Sequence, residues 1–119
     1  VPDTARNIMG YGTPPVAYTS MVRFLVNLCR EGGVLGMEEA FRRLTSLPAH
    51  VLRLRDRGIL RSGYFADITM LDWRELGYVN DFMRPAQTAR GIRHVIVNGR
   101  FALRDGRVVA GPAGRVLRR

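Results

Sequence analysis

Lysine is absent: all 19 basic residues are arginine, against 10 acidic ones, for a formal net charge of +9. The arginines are scattered along the chain and form no run of five, so no basic tract marks a nucleic-acid contact. Arginine in place of lysine, with many Ala and Gly, fits a coding bias better than a phosphate-binding surface. Cysteine is almost absent too. The single Cys29 excludes an internal disulfide and fits a reducing cytoplasm, the expected compartment. No run of 18 apolar residues occurs, so no membrane helix is expected. The opening "VPDTARNIMGYGTPP" has neither the basic nor the apolar region of a signal peptide, and it starts on Val1 rather than Met. With 119 residues and 46% apolar content, the chain is one domain's worth of globular protein.

Chemistry is equally sparse. His50 and His94 are the only histidines, and neither has a partner at metal-ligand spacing. Cys29 falls on a mostly apolar helix face and reads as a small buried hydrophobe. Asp67 and Asp72 bracket a strand at odd separation, which points them to opposite faces and assigns them to turns and edges. Gly10-Tyr11-Gly12 follows no strand and lacks a third glycine, so it is no phosphate loop. Asp3 alone is retained as a candidate catalytic residue. It stands just before a Gly-rich loop that feeds a buried helix, where a barrel enzyme would keep a carboxylate at the end of a strand.

Structure is much more legible. Pro2, Gly10, Gly12, Pro14 and Pro15 predict an irregular segment over residues 1–19. A helix is expected from Ser20 to about Glu31, with Arg23, Asn27, Arg30 and Glu31 on a narrow polar stripe. Gly32-Gly33 ends it. "MEEAFRRLT" predicts a second helix over 37–45, with Glu38–Arg42 and Glu39–Arg43 as i,i+4 pairs. Ser46 is the expected N-cap of a third helix that runs to about Leu54.

After Gly58 the period becomes two. Ala66, Ile68 and Met70 are expected on one face of a strand, and Asp67, Thr69 and Leu71 on the other. Residues 73–91 show no period. "VIVNGRFALRDGRVV", residues 95–109, then carries two strong hairpin signals, Asn98-Gly99 and Asp105-Gly106, and predicts a three-strand antiparallel meander over 94–109. Helices first and antiparallel strands last make the class α+β, or the joint between two domains.

Two stretches resemble a known family. "EEAFRRLTSLPAHVLRLRDRGILRSGYFADITMLD" (38–72) carries a T-x-x-P-A stretch at Thr45, Pro48 and Ala49. It continues with Asp56-Arg57-Gly58, then Gly63 and Ala66-Asp67-Ile68, and then Asp72. "ARGIRHVIVNGRFALRDGRVVAGPAGRVLR" (89–118) carries the G-I-x-x-V-x-V-N-G, D-G and terminal G-R-x-L-R elements. Order and spacing resemble the closing segment of the amidohydrolase superfamily, nearest its N-acyl-D-amino-acid deacylase (D-aminoacylase-like) branch.

The resemblance implies that residues 1–57 are the last helices of a TIM-type barrel and 58–119 the C-terminal share of a small β-sandwich. It implies a parent enzyme in which a zinc-bound hydroxide attacks the amide carbonyl of an N-acyl-D-amino acid. An Asp in such enzymes takes the water's proton and returns it to the leaving amine. Asp3 is the candidate for that Asp, although Pro2 stands where the family usually has Ser or Thr. The family's metal ligands lie upstream of the matching region, so zinc belongs to the full-length parent. None is expected in this chain, and the isolated chain is expected to be inactive.

The expected partners are therefore the N-acyl amino acid substrate of the parent and the missing N-terminal barrel region. A second copy of the chain is also expected, since a severed segment would self-associate through residues 20–31 or a sheet edge; neither nucleic acid nor membrane is. Two other readings remain open: a cyclic-amide enzyme of the dihydroorotase or hydantoinase kind, and a non-enzymatic basic nucleic-acid-binding or interaction module.

Overall fold

A computed structural model describes residues 14–81, 83–84 and 86–117. Helix α1 spans Val16–Phe24 and continues as a π-helical segment, Leu25–Glu31. The start is four residues earlier than the periodicity suggests. Pro14 and Pro15 do not exclude a helix here: Pro15 sits at the N-cap, where a missing N–H costs nothing, and its carbonyl accepts from the buried Thr19 hydroxyl at 3.2 Å. Helix α2 spans Met37–Leu44 and α3 Ser46–Val51. In α2, Glu39 takes both arginines, Arg42 at 2.6 Å and Arg43 at 2.7 Å, so the i,i+3 partner replaces the expected Glu38 pairing of Arg42. Thr45, not Ser46, occupies the N-cap of α3; its hydroxyl turns back to the Phe41 carbonyl at 2.8 Å and caps nothing.

The strands form one antiparallel sheet in the order β1-β2-β3-β4: Ile68–Leu71, Ile92–Val97, Arg100–Arg104 and Arg107–Val108. Both hairpin turns form as the sequence predicts. Asn98 and Gly99 have φ of 52° and 76°, and Asp105 and Gly106 have 50° and 72°, as a type I′ turn requires. The two faces of β1 differ from the expected alternation. The register shifts between Met70 and Leu71 against β2, which leaves Met70 half exposed and turns Leu71 toward the core.

That core is small and joins helices to sheet. Val22, Leu25, Val26, Ala40 and Leu76 are buried together, and Phe41, Leu71, Trp73, Tyr78 and Ile92 pack against them. Leu25 is thus covered, while Met21 and Leu28 of the same helix stay exposed. Leu76 comes from the stretch without period. Its backbone is pinned by Gly91, whose φ of +81° and lack of Cβ let the two segments touch; a Cβ there would lie 2.6 Å from the Leu76 nitrogen. The paired Gly77 and Arg90 backbones close the same contact at 3.2 and 2.8 Å.

Candidate functional site

The sequence-derived candidates do not assemble into a reactive centre. Asp3 lies outside the described residues. His50 is exposed on α3. His94 stands in β2, accepts a hydrogen bond from the Asp105 N–H at Nδ1 (3.2 Å) and meets the Phe101 ring edge-on. Cys29 is half-buried against the core. Asp72 accepts from the N–H groups of Arg74 and Glu75, a turn role as expected. Among the described residues no group of three or more His, Cys, Asp or Glu could hold a metal, so they do not fit a metal centre.

What the fold does bring together is a polar cluster built from residues far apart in sequence. Arg57, in the turn after α3, is only 9% exposed, an unusual burial for a guanidinium. One of its nitrogens donates to Asp67 Oδ2 and the other to Asn98 Oδ1 at 2.5 Å, while its plane lies over Phe65 at 4.3 Å. Asp67 Oδ1 accepts the Asn98 backbone N–H at 2.8 Å. Burial alone would raise the Asp67 carboxyl. The hydrogen bonds from Asn98 and Arg57, with the charges of Arg57 and Arg115, outweigh that and hold it below the usual carboxylate range. Asn98 Nδ2 donates to the Ala113 carbonyl at 2.8 Å, and Arg115 lies over the same Phe65 ring at 4.2 Å. The cluster thus ties together the turn after α3, the entry to β1, the β2–β3 turn and the C-terminal tail. Arg57 is buried and Asp67 reaches it from the surface, and a pairing of this kind fixes geometry more than it adds stability.

The cluster also accounts for the spacing of the motifs. The D-R-G arginine, the A-D-I aspartate, the V-N-G asparagine and the terminal G-R arginine are its four charged or amide members. Asp67 and Asn98 were legible only as turn residues; the sequence offered no sign that Arg57 reaches both.

Two open clefts flank the core. One, of about 700 Å³, is mostly apolar and lies between α1, α2 and β1, with Met21, Leu25, Phe41, Leu44, Ile68 and Ile92 in its walls. The other, of about 650 Å³, is polar. Arg30 reaches across it from the π-helical segment to the carbonyls of Trp73 (3.0 Å) and Leu76 (2.6 Å), and the Tyr78 hydroxyl donates to Asn27 Oδ1 at 3.0 Å.

The sequence model of the amidohydrolase family matches residues 8–103. The chain belongs to the amidohydrolase family. Within it, the D-aminoacylase branch is where the likeness falls. An N-acyl-D-aspartate deacylase of Alcaligenes xylosoxydans xylosoxydans is 36% identical over 100 residues, covering 84% of this amidohydrolase chain and 20% of that protein. A crystal structure of D-aminoacylase superposes with a TM-score of 0.78 at 33% identity, over 83% of this chain and 21% of that one. An N-acyl-D-glutamate deacylase from Bordetella bronchiseptica, crystallised with zinc and a phosphonate mimic of its tetrahedral intermediate, follows at a TM-score of 0.62 and 29% identity, over 74% and 19%. The amidohydrolase chain described here spans about a fifth of the length of the curated relatives it matches.

Proposed function

We propose that this chain is the C-terminal segment of a metal-dependent amidohydrolase that cleaves the amide of N-acyl-D-amino acids. The likeness to D-aminoacylase carries the reading: a TM-score of 0.78 at 33% identity over 83% of the chain. Residues 1–57 supply closing helices of the barrel, and 58–119 supply the C-terminal part of a small β-sandwich. The segment's task is architectural. Its Arg57–Asp67–Asn98 cluster, built on the buried Arg57, locks the sheet to the helices, and its apolar cleft offers a face for the rest of the parent. Asp3 is proposed as the proton-shuttling carboxylate on the resemblance alone. The parent's zinc ligands are assigned to the remainder of the protein, because the described residues hold no ligand group. Apart from the parent, the chain is proposed to pair with a second copy.

The test uses the whole protein that carries this segment, assayed against N-acetyl-D-amino acids, their L enantiomers and dihydroorotate. Release of free D-amino acids, suppressed by a chelator, is the expected result. Turnover of the cyclic amide alone would move the parent to the dihydroorotase-like branch. Absence of any hydrolysis, together with RNA binding that weakens steeply with salt, would replace the enzyme reading by the basic-module one.

A further inference from the structure

The C-terminal tail is held in an unusual way. Val109 still pairs with the sheet, its N–H on the Ala102 carbonyl at 3.0 Å. Beyond it, among the described residues, the tail from Gly111 to Leu117 donates no backbone hydrogen bond. It stands off β3 across a gap of about 230 Å³. Two contacts then catch it: Asn98 Nδ2 on the Ala113 carbonyl, and the Arg115 guanidinium over Phe65. The other polar side chains of this corner are engaged with one another. Arg57 is matched by Asp67 and Asn98 Oδ1, and the second Asp67 oxygen by the Asn98 N–H. The outward donor of Asn98 and the remaining area of the ring are what the corner offers.

We infer that Phe65 and Asn98 form an arginine-reading site that the chain's own tail fills. The ring selects a guanidinium by stacking beneath it. The Asn98 amide selects a backbone carbonyl two residues before it. The recognised chemistry is a short extended segment with a small residue, a glycine and then an arginine, as in Ala113-Gly114-Arg115. Few contacts and no ladder hydrogen bonds make the tail the least stable part of the sheet region, so it detaches while the sheet stays folded. The vacated corner then accepts the Gly111–Leu117 segment of a second copy of this chain.

The experiment compares the full chain with Arg115→Ala by NMR. In the unsubstituted chain the backbone heteronuclear NOE of Gly111, Ala113 and Gly114 should match that of the sheet. In the variant it should fall toward free-chain values while the β2 and β3 shifts stay in place. An acetylated and amidated peptide of residues 111–117 is then titrated into both. It should shift the Asn98 side-chain amide and the Phe65 ring several-fold more tightly in the variant, because the tethered native tail competes at an effective concentration on the order of millimolar. Phe65→Leu, which keeps the bulk and removes the ring, should release the tail and abolish peptide uptake. An unchanged NOE in Arg115→Ala would overturn the inference. So would a peptide that produces no shifts, or one with Ala in place of its Arg that binds equally well.

Discussion

Gly91→Ala should damage this chain far more than the same change at Gly63. Both glycines lie at strongly positive φ, +81° and +85°. An L side chain there costs about 1–2 kcal/mol. The smaller conformational entropy of unfolded alanine offsets about 0.4–1 kcal/mol of that. Nothing lies within 4 Å of a Cβ at Gly63, so about 1 kcal/mol is the whole expected effect there. At Gly91 the new Cβ would lie 2.6 Å from the Leu76 nitrogen, 2.7 Å from its Cα and 2.8 Å from the Glu75 carbonyl carbon. These are backbone atoms with nowhere to go. The Leu76 N–H is held by Asp72 at 2.9 Å, its carbonyl by Arg30 at 2.6 Å, and its side chain is only 1% exposed. Overpacking of this kind adds about 1–3 kcal/mol, for about 2–4 kcal/mol in all. At about 4 °C per kcal/mol for a domain of this size, Gly91→Ala should melt about 8–16 °C lower and Gly63→Ala about 4 °C lower. Thermal and urea melts followed by circular dichroism measure both. Equal losses would show that the 75–77 backbone yields freely and that the Leu76–Gly91 contact does not organise the core.

Three further outcomes follow from the cluster, the lack of a ligand set among the described residues and the exposed apolar side chains. Asp67 has a depressed folded-state pKa, so its contribution is present above the unfolded value near 3.8 and is lost as pH falls below it; acid titration of stability should show this, and Asp67→Asn should flatten the profile in that range. Dialysed chain should hold well under one zinc per molecule by elemental analysis and should not hydrolyse N-acetyl-D-amino acids above background; one tightly held zinc would mean that His50, His94 or Cys29 had been misjudged. Sedimentation at micromolar concentration should show a dimer or larger species, since the apolar side chains of Met21, Leu28, Ile59 and Leu60 are exposed. A clean monomer that binds no hydrophobic dye would refute the severed-surface reasoning.

What could be read from sequence was local. Asn98-Gly99 and Asp105-Gly106 announce their turns because φ > 0 is a property of the two residues themselves. The Met37–Leu44 helix is legible because its apolar face repeats at helical spacing and its charges suit its ends. The helix start at Val16 was hidden by reading Pro14-Pro15 as a breaker rather than as an opening. Leu76 was hidden because its burial depends on a glycine 15 positions away, and no period signals that. The bulge at Met70/Leu71 inverted an alternation that held up to it. In the polar cluster, each member taken alone resembles an ordinary turn residue. Only the fold shows Arg57 reaching 41 positions along the chain to Asn98.

The π-helical segment bears on how the length of this protein can vary. A π turn holds one more residue than an α turn, and here Gly32 must lack a Cβ because one would collide with the Asn27 carbonyl. Deleting one residue between Asn27 and Arg30 would let the helix run on as α without a break. It would also cut the spacing between Asn27 and Arg30 from three residues to two, about 200° apart around an α-helix. Asn27 and Arg30 could then no longer serve Tyr78 and the carbonyls of Trp73 and Leu76 together. A homologue one residue shorter here needs other side chains to hold the 73–78 loop and is free to place a larger residue at position 32. Indel length in this helix and residue identity in that loop should therefore change together.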